Sequence, residues 1–191
     1  MPAPRFVHLR LHSEYSITDG IVRIDDALAR AAGDGMPALA LTDLANLFGM
    51  VKFYSGARGK GLKPIVGCDV WVRDEDVRDP GRDTAARALL LVKNRQGYLR
   101  LCELLSAAYL APRRSGRAEI GLTALANGDN TGLIALSGAA LGDVGQMLEA
   151  GKHAAAAERA QRWATLFPNS YYLEVQRPSG RRQAAAEESL V

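Results

Sequence analysis

The sequence predicts an α/β fold with largely parallel strands. Short apolar runs alternate with segments of helical period along most of the chain, and no internal repeat interrupts that alternation. The 191 residues are 48% hydrophobic and 24% charged, which suffices for one sizeable core, so a single globular domain over 1–191 is expected.

Phe6 to Leu11 reads as a first strand. Helical spacing follows at Ile24, Ala27, Leu28, Ala31 and Ala32, with Gly33 and Gly35 ending the helix before a buried strand at Ala38 to Leu41. Asn46 is placed to cap a second helix with Leu47, Val51 and Tyr54 as its inner face, and the glycines at 56, 59 and 61 should break it. Lys63 to Val72 is the next strand, Arg73 to Ala86 a polar excursion, and Ala88 to Val92 another buried strand. A helix over Tyr98 to Tyr109, a loop at Pro112 to Gly116 and a strand at Leu133 to Ser137 come next. Ala156, Ala160, Trp163, Ala164 and Phe167 form one apolar helix face before a strand at Tyr171 to Val175. The total is six strands, compatible with either a barrel-like closure or an open doubly wound sheet. Gln183 to Leu190 starts a helical pattern that no strand follows, so the chain reads as truncated before its last unit or units.

Charge and cysteine usage exclude several classes. With 24 basic and 21 acidic residues the net charge is +3, too balanced to make a nucleic-acid surface by itself. The densest basic clusters, Arg113, Arg114 and Arg117, and Arg177, Arg181 and Arg182, stand beside proline or glycine and read first as solvated loops. Cys68 and Cys102 form neither a disulfide framework nor a zinc pair, which fits a reduced, cytoplasmic compartment. No apolar run approaches a membrane span, and Met1 to Arg10 lacks the core of a signal peptide. A glycine-rich phosphate loop with its lysine and a nucleophile elbow are both missing.

The residues with chemical potential gather at predicted strand ends. Alternation along the first strand would put His8, Arg10 and His12 on one face, followed by Ser13, Glu14, Tyr15, Asp19 and Gly20. Alternate histidines suit a metal, although polar residues near a strand end look the same, and Arg10 would compete with a cation. Thr42 and Asp43 follow a buried strand, where active-site carboxylates of α/β proteins are common, and the plainer reading is that Asp43 caps the next turn. Asp69 sits inside a strand and needs a partner or exposure. His153 lies on an alanine-rich helix and reads as surface.

The strings PRFVHLRLHSEYSITDG, GMPALALTDLANLFGMVKFY and GLKPIVGCDVWV resemble the opening of the α subunits of bacterial DNA polymerase III, the C-family replicative polymerases. LLLVKNRQGYLRLCELLSAAY, GLIALSGAALGDVG and YYLEVQR continue the likeness in order, across nearly the whole chain. The resemblance implies an N-terminal PHP (polymerase and histidinol phosphatase) module, a distorted barrel of alternating strands and helices, with its end and the polymerase domains missing. Intact PHP modules resemble metal-dependent phosphoesterases with histidine and carboxylate ligands. Here the first histidine pair falls on Arg10 and His12, the acid of TDG is kept as Asp19, and the TDH motif reads Thr42, Asp43, Leu44. The usual glutamate falls on Asp69, the histidine opening the next strand on Arg87, and the cysteine or histidine after SG on Ala139, while the last ligands would lie beyond Val191.

Arg10, Leu44, Arg87 and Ala139 cannot bind a metal cation. The resemblance therefore implies a vestigial site, with His8, His12, Asp19, Asp43 and Asp69 as remaining donors, no catalytic residue and no metal in this fragment, and Mg in the full-length polymerase. Arg10 and Arg87 would replace the metal's charge, a guanidinium pairing with Asp19, Asp43 and Asp69; the other reading is simple drift, with water filling the pocket. The implied role is a scaffold within a DNA-directed DNA polymerase, a nucleotidyltransferase of chromosomal replication. It would join the rest of the α subunit, offer a docking surface to the proofreading exonuclease subunit, and meet DNA only through the full-length protein. The alternative is a metal-dependent phosphoesterase or intrinsic 3'-5' exonuclease on the remaining donors.

Overall fold

A computed structural model of the chain describes residues 6–75, 85–111 and 116–176. Its described residues form six strands and six α-helices that alternate along much of the chain, the α/β class the sequence predicts. Two compact units divide the chain, Met1–Asp69 and Val70–Val191.

In the first unit, α1 (Ile24–Gly33) carries Asp25 and Asp26 in its first turn and Arg30 in its last, both signs favourable to the helix dipole. Ile24, Leu28 and Ala31 are its buried stripe. The stop is a Schellman motif: Gly35, with a positive φ of 67°, donates to the Ala32 carbonyl at 3.1 Å and Met36 donates to that of Ala31 at 3.0 Å. Strand β1 (Ala38–Leu41) is wholly buried and runs parallel to β2 (Lys63–Arg73), in register from Ala38 opposite Lys63 to Leu41 opposite Val66. Helix α2 (Met50–Gly59) makes the crossover that a parallel pair requires. Ile24, Leu28, Leu39, Leu41, Phe53, Ala57 and Leu62 close the core of this unit.

Two expectations for this unit are corrected. Phe6 to Leu11 is not a strand. It runs beside β1 with only intermittent pairing: Ala40 donates to the His8 carbonyl at 3.0 Å, Thr42 to that of Leu11 at 2.9 Å, and the Leu11 amide is taken by Thr42 Oγ1 at 2.9 Å. A side-chain acceptor thus stands where a ladder carbonyl would be. The second correction concerns α2, which begins at Met50 after Gly49 rather than at Asn46. The Asn46 amide donates to the carbonyls of Tyr15 and Leu44, and its oxygen accepts from Phe48, all at 3.0 Å. The inner face is carried by Phe53 and Ala57 instead of Val51 and Tyr54: Phe53 is 1% exposed while Val51 is 68% exposed. Only Gly61 among the expected breakers stops the helix, in a second Schellman motif with Leu62 bonded to Ala57. Gly56 lies inside the helix, where a methyl would come within 2.8 Å of Leu28 Cδ1.

In the second unit, β3 (Ala86–Val92) pairs antiparallel with β5 (Leu133–Leu136), and β5 pairs parallel with β6 (Tyr171–Tyr172). Strand β4 (Glu119–Gly121) lies parallel to the end of β2. At three residues it is too short for sequence periodicity to register, so it takes the sixth place that the sequence assigned to Phe6–Leu11. Helix α3 (Arg95–Leu110) starts earlier than its apolar pattern because Asn94 caps it, accepting from the Gly97 amide at 3.0 Å. Helices α4 (Leu122–Ala126), α5 (Asp143–Glu149) and α6 (His153–Leu166) follow. Ala156, Trp163 and Phe167 are buried as expected, Ala164 is exposed, and Trp163 stacks between Phe167 and Tyr171, each at 5.9 Å. His153 is exposed. Arg117 is not a free loop cation: its guanidinium lies 3.9 Å from the Trp71 ring centre and bonds Glu119 at 3.0 Å. Arg113, Arg114, Arg177, Arg181, Arg182 and the pattern from Gln183 to Leu190 lie outside the described residues.

The phase of α2 is testable. Phe53→Ala should destabilise the protein by about 3–5 kcal/mol through the cavity it leaves. Val51→Ala should change stability by no more than about 0.5 kcal/mol. Equilibrium urea unfolding of the two variants checks this, and equal losses would reverse the face assignment.

Candidate functional site

Four charged side chains of the first unit form a continuous network. Asp69, on the fully buried stretch of β2, has a side chain with no exposed surface. Its Oδ2 accepts from Arg10 Nη1 and lies 3.0 Å from His12 Nε2, while His12 Nδ1 lies 3.0 Å from Asp19 Oδ1. The order is therefore Arg10, Asp69, His12, Asp19, with alternating sign. With a carboxylate on each ring nitrogen, His12 is placed to donate from both as an imidazolium. Burial of the ring opposes that charge, but the hydrogen bond and field of Asp69, helped by Asp19, overcome it, and the pKa of His12 is raised above 6.5.

Asp43 belongs to a second arrangement. The Ser13 amide donates to its Oδ1 at 2.6 Å and the Ser13 hydroxyl to its Oδ2 at 3.0 Å. It does not cap the turn that follows it, nor does it pair with Arg10 as expected, because both oxygens face a serine thirty residues earlier. Burial raises the Asp43 pKa from its ordinary 3.8, with the Ser13 bonds pulling against the shift. Backbone bonds join the two arrangements: the Asp69 amide donates to the Asp43 carbonyl at 3.2 Å, and the Ala45 amide to the Asp69 carbonyl at 2.7 Å. Leu44 bridges to Asp69 in parallel register, and its own amide is held by Ser16 Oγ at 2.7 Å. The buried Cys68 thiol donates to the carbonyls of Asp43 at 3.3 Å and Asn46 at 3.5 Å, and burial pushes its pKa far up.

Seven of the nine sequence-predicted positions lie in the first unit. Arg10, His12, Asp19 and Asp69 come together, with Asp43 and Leu44 bound alongside through backbone. His8 does not share their face: it is exposed, with its ring edge-on to Phe6 at 4.7 Å, because the irregular run from Phe6 has no strand alternation to carry it inward. Arg87 and Ala139 belong to the second unit. Arg87 is buried on β3 with its guanidinium 4.8 Å from the Trp71 ring centre, and Ala139 is buried at the start of a 3-10 turn, Ala139–Leu141. Ser13 was named from the sequence without a role, and Ser16 was missed. The available signal was Ser13 before Glu14, since its hydroxyl also accepts from the Tyr15 amide at 3.2 Å and caps the 3-10 turn Glu14–Ser16.

This donor set does not fit a divalent cation. Asp69 Oδ2 is shared by Arg10 and His12, both His12 nitrogens face carboxylates, both Asp43 oxygens accept from Ser13, and Leu44 offers only methyl groups. Among the described residues no group of three or more histidine, cysteine, aspartate or glutamate side chains is arranged to hold a metal ion.

Comparison with protein-family models matches residues 8–178 to the PHP domain. The chain is 48% identical over 178 residues to the DNA polymerase III subunit alpha of Neisseria meningitidis serogroup A, an alignment covering 93% of the chain. It is 45% identical over 177 residues to that of Pseudomonas fluorescens and 41% identical over 175 residues to that of Escherichia coli K12, covering 93% and 92% of the chain. The chain spans 15% of the length of each of these relatives.

Removing Arg10 should expose the network's main weakness. Its side chain is 22% exposed and that of Asp69 is 0%, so Arg10→Ala leaves a buried carboxylate short of a cation and should cost about 3–5 kcal/mol. A thermal melt matching wild type would remove the claim. The pH dependence follows from the direction of the His12 shift. A raised folded pKa means that the contribution of His12 is full below its unfolded value near 6.5 and is lost as pH rises through the folded value. The raised Asp43 pKa acts with the same sign, but in the acidic range above 3.8. Stability should therefore fall in the window above pH 6.5 in wild type, and His12→Gln should lack that slope; equal slopes in the two proteins would contradict the network.

Proposed function

The chain belongs to the PHP domain family, and from that premise we propose that it is a non-catalytic scaffold module in the α subunit of a bacterial DNA polymerase III. The observation that carries this reading is the contact of Arg10 with Asp69, at the position where the resemblance sets a metal-binding histidine. A guanidinium supplies positive charge to a buried carboxylate without open coordination positions, so it maintains packing but cannot polarise a phosphoester or activate water. For a divalent ion to enter, Arg10 would have to leave Asp69 and His12 would have to give up its carboxylate partners, and both steps oppose binding.

The wider role follows from the same reading. The module joins the rest of the α subunit and offers a surface to the proofreading exonuclease subunit, in the cytoplasm, during chromosomal replication. Nucleotidyl transfer, its Mg ions and direct engagement of DNA belong to the full-length DNA-directed DNA polymerase. No helix among the described residues is long and apolar enough to cross a membrane. No specific observation favours the phosphoesterase or 3'-5' exonuclease alternative, which needs a metal on the remaining donors.

Elemental analysis of the dialysed protein should find no near-stoichiometric zinc or manganese, and a bound equivalent would overturn the proposal. Arg10→His should show no phosphoesterase activity in either metal, because Leu44, Arg87 and Ala139 still lack donors; hydrolysis by that variant would restore the enzymatic reading. With a net charge of +3 the chain should bind duplex or primed DNA weakly at physiological salt. Fluorescence anisotropy measures this, and submicromolar affinity that survives raised salt would make the module a DNA-contacting one.

A further inference from the structure

We draw no further inference here: the strongest candidate, the exposed apolar side chains Ile17, Ile21 and Phe48 of the first unit, carries nothing because nothing in the structure shows what covers them.

Discussion

The first unit buries a carboxylate without solvent contact, and the neighbouring polar structure is arranged to satisfy it. Asp69 occupies a buried position on β2, where an unpaired charge would cost several kcal/mol. The guanidinium of Arg10 and the imidazole of His12 both reach it, and both come from the irregular run beside β1. That run is therefore held by charge as much as by backbone pairing. Its few ladder bonds, from Ala40 and Thr42, set its position along β1, and the ion network sets which side chains turn inward.

Asp43 meets the same constraint by a different device. Its charge is opposed by burial, and neutral donors from one serine take both oxygens. Ser13 in turn accepts from the Tyr15 amide and starts the tight 3-10 turn, so one buried hydroxyl joins the loop after β1 to the segment carrying His12 and Asp19. The backbone bonds between the Asp43 and Asp69 segments then make the ionic and neutral arrangements one assembly. Loss of Arg10 would be felt through that assembly rather than as an isolated surface event.

A metal site and an ion-pair network answer the same electrostatic demand with different chemical consequences. Either one neutralises carboxylates gathered at strand ends. A metal ion keeps positions open to water and phosphate, whereas a guanidinium and an imidazolium direct their donors at fixed partners. Arginine at position 10 supplies positive charge to Asp69 without open coordination positions.

Much of the fold was legible in the sequence. The helix at Ile24, the buried strand at Ala38, the long strand from Lys63 and the aromatic helix face at Trp163 all follow from period and composition, because each buries its own regular stripe. So did the identity of most site residues, since charged groups beside buried strands must have partners. Geometry across distant segments decided the rest. Asn46 turns back to Tyr15 and Leu44 instead of capping α2, and the helix buries Phe53 and exposes Val51. His8 stays outside because Thr42 replaces a ladder bond with its side chain, and Asp43 goes to Ser13 rather than to Arg10. Local period reports which face of an element is apolar; which donor meets which carboxylate depends on residues about thirty to sixty positions apart, and only the folded chain brings those together.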